Sequence, residues 1–138
     1  MRLDLLGWTS GIEALIATAM LTTTSGAQPS TLFKRFEGDE ARVRGVVSKI
    51  EAQHGSVLEH NRLDWLLEAS ECEVLDLLLR WRYFNVSRLG GDRWLLSANL
   101  RTVVEYIGEV EDNLSKMLME SIMLVAPTLH DCIRRQQV

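Results

Sequence analysis

The alternation of apolar and polar residues predicts a few short strands among several helices. Apolar residues alternate between Arg62 and Ser70 and place two leucines and Trp65 on one face, which is the period of a half-buried strand. Leu3–Leu6 and Arg93–Leu96 are shorter strand candidates. We therefore expect a small antiparallel sheet packed with several helices, an α+β protein.

Apolar residues at helical spacing, each preceded by a capping side chain, predict the helices. The expected caps are Thr9 or Ser10, Asp39, Ser70 and Asn99. In the same order, these caps begin the predicted helices: Ile12–Leu21, a helix with an apolar stripe from Val43 to Ile50, Glu71–Arg82, and a helix with an apolar face from Val103 to Ile107. We predict two more helices after them. Leu114–Val125 ends at Pro127, and a short helix follows it. Glu71–Arg82 is nearly all apolar in its centre, so we expect it to be buried. Residues 22–30 are the expected loop.

Length and composition predict one domain spanning residues 1–138. The chain is 46% hydrophobic and 25% charged, as ordinary globular domains are. Its two cysteines, Cys72 and Cys132, form no CxxC pair, so neither a disulfide scaffold nor a zinc site is indicated. Asp4 interrupts any secretory signal, and Ile12–Leu21 is too short to span a bilayer. We expect a soluble cytoplasmic protein with no membrane contact.

The charges are unevenly distributed. The formal net charge is −4, which argues against nucleic-acid binding, but 12 of the 15 basic residues are arginine and four lie between Arg80 and Arg93. Guanidinium groups bind phosphates bidentately, and the pair Gly90-Gly91 lets the backbone approach a ligand. Cations at a helix end, paired with surface acids, explain the same pattern. The residues alone leave both interpretations open.

A second polar cluster, HGSVLEH, covers His54–His60. Two imidazoles and the Glu59 carboxylate are metal-ligand types, although the spacing is not that of HExxH, and we expect no metal. Ser56 and Glu59 also have the spacing of a capping box at a helix start. A ligand-binding turn is the third interpretation.

Both clusters resemble motifs of the flavin-dependent thymidylate synthases. His54–His60 is similar to that family's HESVLEH and is likewise followed by a strand, a helix and an Arg-x-Arg, here Arg80-Trp81-Arg82 in place of RHR. The opening Leu5-Leu6-Gly7 and the later Asn99-Leu100-Arg101 are similar to the family's start and to its Asn-Ala-Arg. The resemblance covers most of the chain, and HGSVLEH is its most specific part.

The resemblance implies a cofactor, substrates and an assembly. Members of the family are homotetramers with FAD at subunit interfaces and dUMP stacked on the flavin; methylenetetrahydrofolate supplies the carbon and NADPH the hydride. The positions that match the family's flavin contacts are His54, Ser56, Glu59, Arg80, Arg82, Asn99 and Arg101, with Trp81 in place of a histidine. A nucleotide would be held by Arg88, Gly90, Gly91 and Arg93.

The nucleotide half departs from the family pattern. The glutamine that faces the pyrimidine falls at Leu77, an arginine that contacts dUMP falls at Val110, and the serine of RHRxxS is Asn85. The Ser-x-Arg segment becomes Gly90–Arg93, one residue longer. Only a few residues separate this segment from Asn99, where the family has a long segment with a further phosphate-binding arginine.

Three functions follow as hypotheses. In the first, the protein binds FAD in this fold, and the altered substrate positions argue against dUMP methylation. In the second, it is a minimal active thymidylate synthase in which Arg88 or Arg93 holds the phosphate. In the third, it is a non-enzymatic oligomeric interaction module, because Ile12–Leu21 and Leu114–Val125 carry more apolar residues than one small domain buries. No catalytic residue is predicted.

Overall fold

Four antiparallel strands form the only sheet found among the described residues. The computed structural model describes residues 1–137, and for residues 52–54 it describes the backbone alone. The strands are β1 (Arg2–Trp8), β2 (Arg62–Glu68), β3 (Asn85–Gly90) and β4 (Arg93–Asn99), in the order β1-β2-β4-β3. The central strands are therefore β2 and β4, and β1 and β3 are the edges.

The predicted alternation in β2 is confirmed. Leu63, Trp65 and Leu67 are fully buried on one face, whereas Asp64 and Leu66 are half-buried on the other. Trp65 lies opposite Leu5 of β1 and Leu96 of β4. The pattern places one face of the sheet against the helices, because apolar side chains that share a face must be covered there.

The described part of the chain also contains seven α-helices and one 3-10 helix. They are α1 (Ile12–Thr22), α2 (Pro29–Phe36), α3 (Glu40–Val47), the 3-10 helix (Ala52–Leu58), α4 (Glu71–Arg80), α5 (Leu100–Glu109), α6 (Asn113–Val125) and α7 (Pro127–Gln136). Contacts join α6 to β1, α5 to β4, α1 to α2 and α3, and α7 to α3 and α6. The Trp65 indole N–H also donates to Ser121 Oγ of α6 at 3.0 Å. The expected α+β class is confirmed.

Three of the four predicted caps are confirmed. The side chains of Asp39 and Asn99 accept backbone N–H groups at the starts of α3 and α5. Ser70 and Glu73 form a reciprocal capping box on α4. The cap predicted for α1 at Thr9 or Ser10 is wrong, because Gly11 precedes that helix in the left-handed region, at φ 67°, with no side-chain hydrogen bond.

Two elements were not expected from the pattern. The loop predicted for residues 22–30 ends earlier, because Pro29 occupies the first turn of α2, where its missing N–H is tolerated. β3 was not expected either. Gly90 and Gly91, at φ 121° and 58°, make the turn that joins it to β4. Both φ values favour glycine, so the glycine pair is required by the hairpin itself.

The prediction that α4 is buried and extends to Arg82 is wrong on both counts. The helix ends at Arg80, and it is amphipathic. Val74 and Leu77 are buried, whereas Leu79 is 86% exposed. The apolar residues therefore lie on two opposite faces of the helix, and only one of them contacts the core.

No helix in the described part of the chain combines the length and the apolar character needed to cross a bilayer.

Candidate functional site

Arg101, near the start of α5, joins the two segments that the sequence singled out. Its Nη1 lies 2.5 Å from Glu59 Oε1, and its Nε donates to Glu105 Oε1 at 2.6 Å. No helix begins at Ser56, where a capping box was one of three interpretations of the sequence. The 3-10 helix ends at Leu58, so the capping-box prediction is wrong, and the Glu59 carboxylate contacts Arg101 instead.

Backbone contacts hold Arg101 in place. The Asn99 side chain accepts the Thr102 N–H at 2.9 Å and so fixes the first turn of α5. The Leu100 N–H donates to the Asn61 carbonyl at 2.8 Å, which ties that turn to the segment after the 3-10 helix. A Cβ at Gly55 would lie 3.2 Å from Arg101 Nε, closer than ordinary van der Waals contact. Glycine at position 55 therefore leaves room for the guanidinium.

Two carboxylates surround one guanidinium at this point. The hydrogen bond to Glu105 and then the one to Glu59 raise the pKa of Arg101. All three side chains are more than 40% exposed, so the ion pairs contribute little to stability. Their effect is on orientation, since two carboxylates fix the plane of the guanidinium.

A cleft of ≈290 Å³ opens beside Arg101. Its apolar wall is formed by Ile50, Leu58, Val104, Leu129 and Ile133. Three glutamates, Glu51, Glu105 and Glu109, also line it, together with one arginine, Arg101. Such a cleft suits an uncharged apolar or aromatic group, because a phosphate would meet an excess of negative charge.

Arg80 and Arg82, at the end of α4, differ in their partners. Arg80 pairs with Asp76 at 2.7 Å and lies 3.9 Å from Asp112. Among the described residues, Arg82 contacts no carboxylate. It donates to the Tyr83 hydroxyl at 3.2 Å, and this hydrogen bond raises the pKa of Arg82. Arg82 therefore offers an exposed guanidinium that an anion can reach.

Trp81, between these arginines, packs inward. Its ring meets Tyr106 edge-on, with centroids 5.6 Å apart. The indole N–H is buried and has no acceptor within residues 1–137. Tyr106 donates to Asp112 at 2.6 Å, and burial, followed by that hydrogen bond, raises the pKa of the Tyr106 phenol. The Trp81 N–H is therefore a buried donor without a partner in the described part of the chain.

The residues expected to hold a nucleotide lie on the β3–β4 hairpin. Arg88 pairs with Glu71 at 3.4 Å and donates to the Gly91 carbonyl at 3.3 Å. Arg93 is exposed opposite Glu68 on β2 and forms no ion pair with any described residue. Gly90 and Gly91 shape the turn between the strands.

One chain does not bring the predicted site residues together. Arg93 and Asn99 lie at opposite ends of β4, about 20 Å apart at about 3.4 Å per residue. Arg88 contacts the first turn of α4, whereas Arg80 ends it, about 13 Å away along the axis. Ser56 is exposed on the 3-10 helix, and the side chain of His54 lies outside the described residues. The residues form three groups, at Arg101, at Arg80–Arg82 and at the hairpin.

Two residues of this region were not identified from sequence. Glu105 follows Arg101 by four positions, a spacing that places both on one helix face and could have predicted the pair. Asn61 is fully buried, and neither its amide oxygen nor its amide nitrogen has a partner among the described residues. No local pattern marks Asn61, because its burial depends on the packing around the 3-10 helix.

Both altered nucleotide positions are apolar and at least half-buried, and Leu77 lines a small cavity together with Arg80. Leu77 is 1% exposed and belongs to the hydrophobic core, and Val110, just after α5, is half-buried. No three His, Cys, Asp or Glu side chains among the described residues are grouped in a way that could hold a metal ion.

The comparisons with known proteins add a structural relationship. No protein-family model and no curated protein matches the chain. Among solved structures, it is similar to the flavin-dependent thymidylate synthase ThyX from Helicobacter pylori, complexed with FAD and dUMP. The TM-score is 0.66 at 12% identity, and the match covers 96% of this chain and 99% of that chain. At this identity the comparison shows a common fold.

Proposed function

We propose that this protein binds a flavin nucleotide, FAD, and does not synthesise thymidylate. The observation that carries the proposal is the contact between Glu59 and Arg101. Each lies in a segment that resembles a flavin-contact motif, and the fold brings the two side chains together beside a cleft. That fold is shared with a protein whose structure contains FAD and dUMP.

Two arginines suit two different parts of FAD: Arg101 suits the flavin ring, and Arg82 suits the diphosphate. The cleft beside Arg101 has an apolar wall and an excess of carboxylates, so it suits a neutral ring. Arg101 uses one N–H at Nε and one at Nη1, which leaves further N–H donors for carbonyl or ring-nitrogen acceptors. The diphosphate belongs at Arg82, whose guanidinium has no described carboxylate partner.

Trp81 lies between the two arginines at the end of α4, but its ring packs inward on Tyr106 and its N–H is buried. A ligand at Arg82 would therefore contact the arginine and not the Trp81 N–H. The flavin, when bound, would supply redox chemistry, and Arg101 and Arg82 would bind and orient it.

A second copy of the chain is needed to complete the site. The cleft of ≈290 Å³ lies below the usual 300–1,000 Å³ for a pocket that encloses a small ligand, and a dinucleotide is larger. The groups at Arg101 and at the hairpin lie at opposite ends of the sheet. In the homotetramer that the resemblance implies, groups from different copies would meet.

The loss of thymidylate synthesis is inferred from Leu77 and Arg88. The position where the family has a pyrimidine-facing glutamine is occupied by a leucine inside the core. Arg88 is already paired with Glu71. A dUMP phosphate would therefore depend on Arg93 alone within the hairpin, and one exposed arginine binds a phosphate weakly.

The proposal is tested by FAD titration of the full chain, followed by quenching of flavin fluorescence. Arg101→Ala is expected to weaken binding by about tenfold or more, since a hydrogen bond to a charged group contributes about 1.5–3 kcal/mol. Arg134→Ala, an exposed arginine in the last turn of α7, is the matched control and should not change the affinity. Equal affinity for the two variants would contradict the role of Arg101.

The catalytic part is tested separately. The FAD-loaded protein is incubated with methylenetetrahydrofolate, NADPH and dUMP tritiated at C5, and released tritium is counted. We expect none above the protein-free background. Release at a catalytic rate would establish the alternative, a minimal thymidylate synthase with phosphate held by Arg88 or Arg93. Failure to bind FAD at all would favour the interaction module.

A further inference from the structure

A groove of ≈450 Å³ lies between α3 and α7. We call it the α3–α7 groove, and six residues line it: Arg44, Ser48, Pro127, Thr128, Asp131 and Arg135. Arg44 and Ser48 are four positions apart along the chain, as are Asp131 and Arg135, so each pair lies on one side of its helix. The α7 residues that line the Arg101 cleft lie on the opposite face of that helix: Leu129, Cys132, Ile133 and Gln136.

The charge of the α3–α7 groove distinguishes it from the other clefts. Its side chains include two guanidinium groups and one carboxylate, which gives a net charge of +1. Four other clefts among the described residues each combine three carboxylates with one lysine or arginine. In a chain with a net charge of −4, the α3–α7 groove is therefore the cleft of these five that attracts an anion.

Both arginines of the groove have N–H donors to offer an anion. Arg44 is exposed and forms no ion pair within residues 1–137, although it also borders an acidic cleft. Arg135 donates through Nε to the Asp131 carbonyl at 3.4 Å and through Nη2 to Cys132 Sγ at 3.2 Å. These contacts hold the Arg135 guanidinium beside the groove and leave its Nη1 without a described partner. Guanidinium groups placed in this way suit phosphate oxygens.

The start of α7 does not supply the attraction for an anion. Pro127 has no N–H, and the N–H groups of Thr128 and Leu129 donate to Glu13 Oε1 at 2.7 and 3.1 Å. The Glu13 carboxylate thus occupies the helix N-terminus, where an anion would otherwise bind. Binding of an anion in the groove depends on the two arginines instead.

The rest of the lining favours a ligand that carries hydroxyl groups. A volume of ≈450 Å³ is in the usual range of about 300–1,000 Å³ for small-molecule pockets, so the groove has room for more than a phosphate. Ser48 and Thr128 provide hydroxyls. Asp131 contacts His130 through Oδ1, which leaves Oδ2 to accept from a ligand hydroxyl. The same carboxylate repels a second phosphate.

We propose that the α3–α7 groove binds a sugar monophosphate. Arg44 and Arg135 bind the phosphate, and Asp131 accepts hydrogen bonds from the sugar hydroxyls. The inference does not rest on flavin binding, because the groove shares no residue with the Arg101 cleft and does not include Arg82.

Isothermal titration calorimetry of the full chain with ribose 5-phosphate tests the proposal. We expect Arg44→Gln and Arg135→Gln each to weaken binding about tenfold or more, because each removes a charge-assisted contact to phosphate. Arg44 has no described side-chain partner, so its substitution removes no contact that holds the fold. Arg35→Gln, at an exposed arginine in the last turn of α2, is the matched control and should not change the affinity.

Three results of this titration would overturn the proposal. They are no binding by the wild type, an equal loss of affinity in Arg35→Gln, and an affinity that Arg44→Gln leaves unchanged. Arg82→Gln separates the groove from the position proposed for the flavin diphosphate. It should leave the affinity for ribose 5-phosphate unchanged, and a loss confined to Arg82→Gln would place the phosphate there and contradict the groove.

Two simpler probes show which part of the ligand is recognised. Ribose and inorganic phosphate should each bind more weakly than ribose 5-phosphate. Asp131→Asn should tighten binding of inorganic phosphate, because a repelling carboxylate is lost, and should reduce the preference for ribose 5-phosphate over phosphate. Ribose that binds as tightly as ribose 5-phosphate would contradict the role of the arginines. Inorganic phosphate that binds as tightly would contradict the role of Asp131.

Discussion

Replacing Asn61 with leucine is expected to stabilise the protein. Asn61 is fully buried just before β2, and its amide oxygen and nitrogen have no partners among the described residues. A buried polar group left without a hydrogen bond costs about 1–3 kcal/mol, whereas an apolar side chain of similar size has no such penalty. Asn61→Leu should therefore raise the free energy of unfolding by about 1–3 kcal/mol.

The expected change in Tm follows from the size of the chain. With 138 residues and an unfolding entropy of about 2.1 cal/mol/K per residue, 1 kcal/mol corresponds to about 3–4 °C. Asn61→Leu should raise Tm by about 3–10 °C. Differential scanning calorimetry measures the shift directly.

The matched control is the same substitution at a partnered asparagine. Asn99 accepts the Thr102 N–H and caps α5, so Asn99→Leu should destabilise the protein by about 1 kcal/mol. Opposite signs for the two variants support the reasoning. A fall in Tm for Asn61→Leu similar to that for Asn99→Leu would refute it, because the Asn61 amide would then be satisfied in the folded protein.

Two further predictions concern pH. The Ser70 backbone and side-chain hydrogen bonds lower the pKa of Glu73 below its ordinary value of 4.5, so this stabilisation is present above pH 4.5 and is lost as pH falls through the folded pKa. Urea unfolding should show a smaller loss of stability on acidification for Glu73→Gln than for the wild type; identical slopes would rule out this contribution. Burial raises the pKa of Tyr106, so the folded state keeps that phenol protonated, and the stabilisation present below the ordinary value of 10.0 is lost as pH rises through the folded pKa. Tyrosinate absorbance should report ionisation of Tyr106 only when the protein unfolds in alkali. Tyr106→Phe should abolish this absorbance change and lower the free energy of unfolding near neutral pH by about 1 kcal/mol. Ionisation of Tyr106 in the folded protein near pH 10 would contradict the raised pKa.

Local patterns predicted the elements whose stability is local. The Ser70–Glu73 capping box depends only on residues three apart, and the alternation around Trp65 depends only on the strand period. Both are confirmed. The α2 helix was not predicted, because Pro29 at its start is also typical of a loop. The helix packs on α1, a contact that the local sequence does not indicate.

Features set by packing were not predictable from the sequence. The apolar centre of α4 indicated burial, yet the helix contacts the core on one face and leaves Leu79 exposed on the other. The Glu59 side chain has capping spacing, but Arg101, 42 positions away, takes its carboxylate. The resemblance to a family predicted that Glu59 and Arg101 belong to one site. Local spacing could not predict their contact, because the fold brings the two residues together.

The absorption spectrum of the purified protein after incubation with FAD and gel filtration tests the central claim most directly. We predict that the flavin bands elute with the protein at a stoichiometric ratio, and that they are lost or reduced in Arg101→Ala but retained in Arg134→Ala. A wild-type protein that elutes without flavin absorbance, at concentrations where it is folded and associated, would contradict the account.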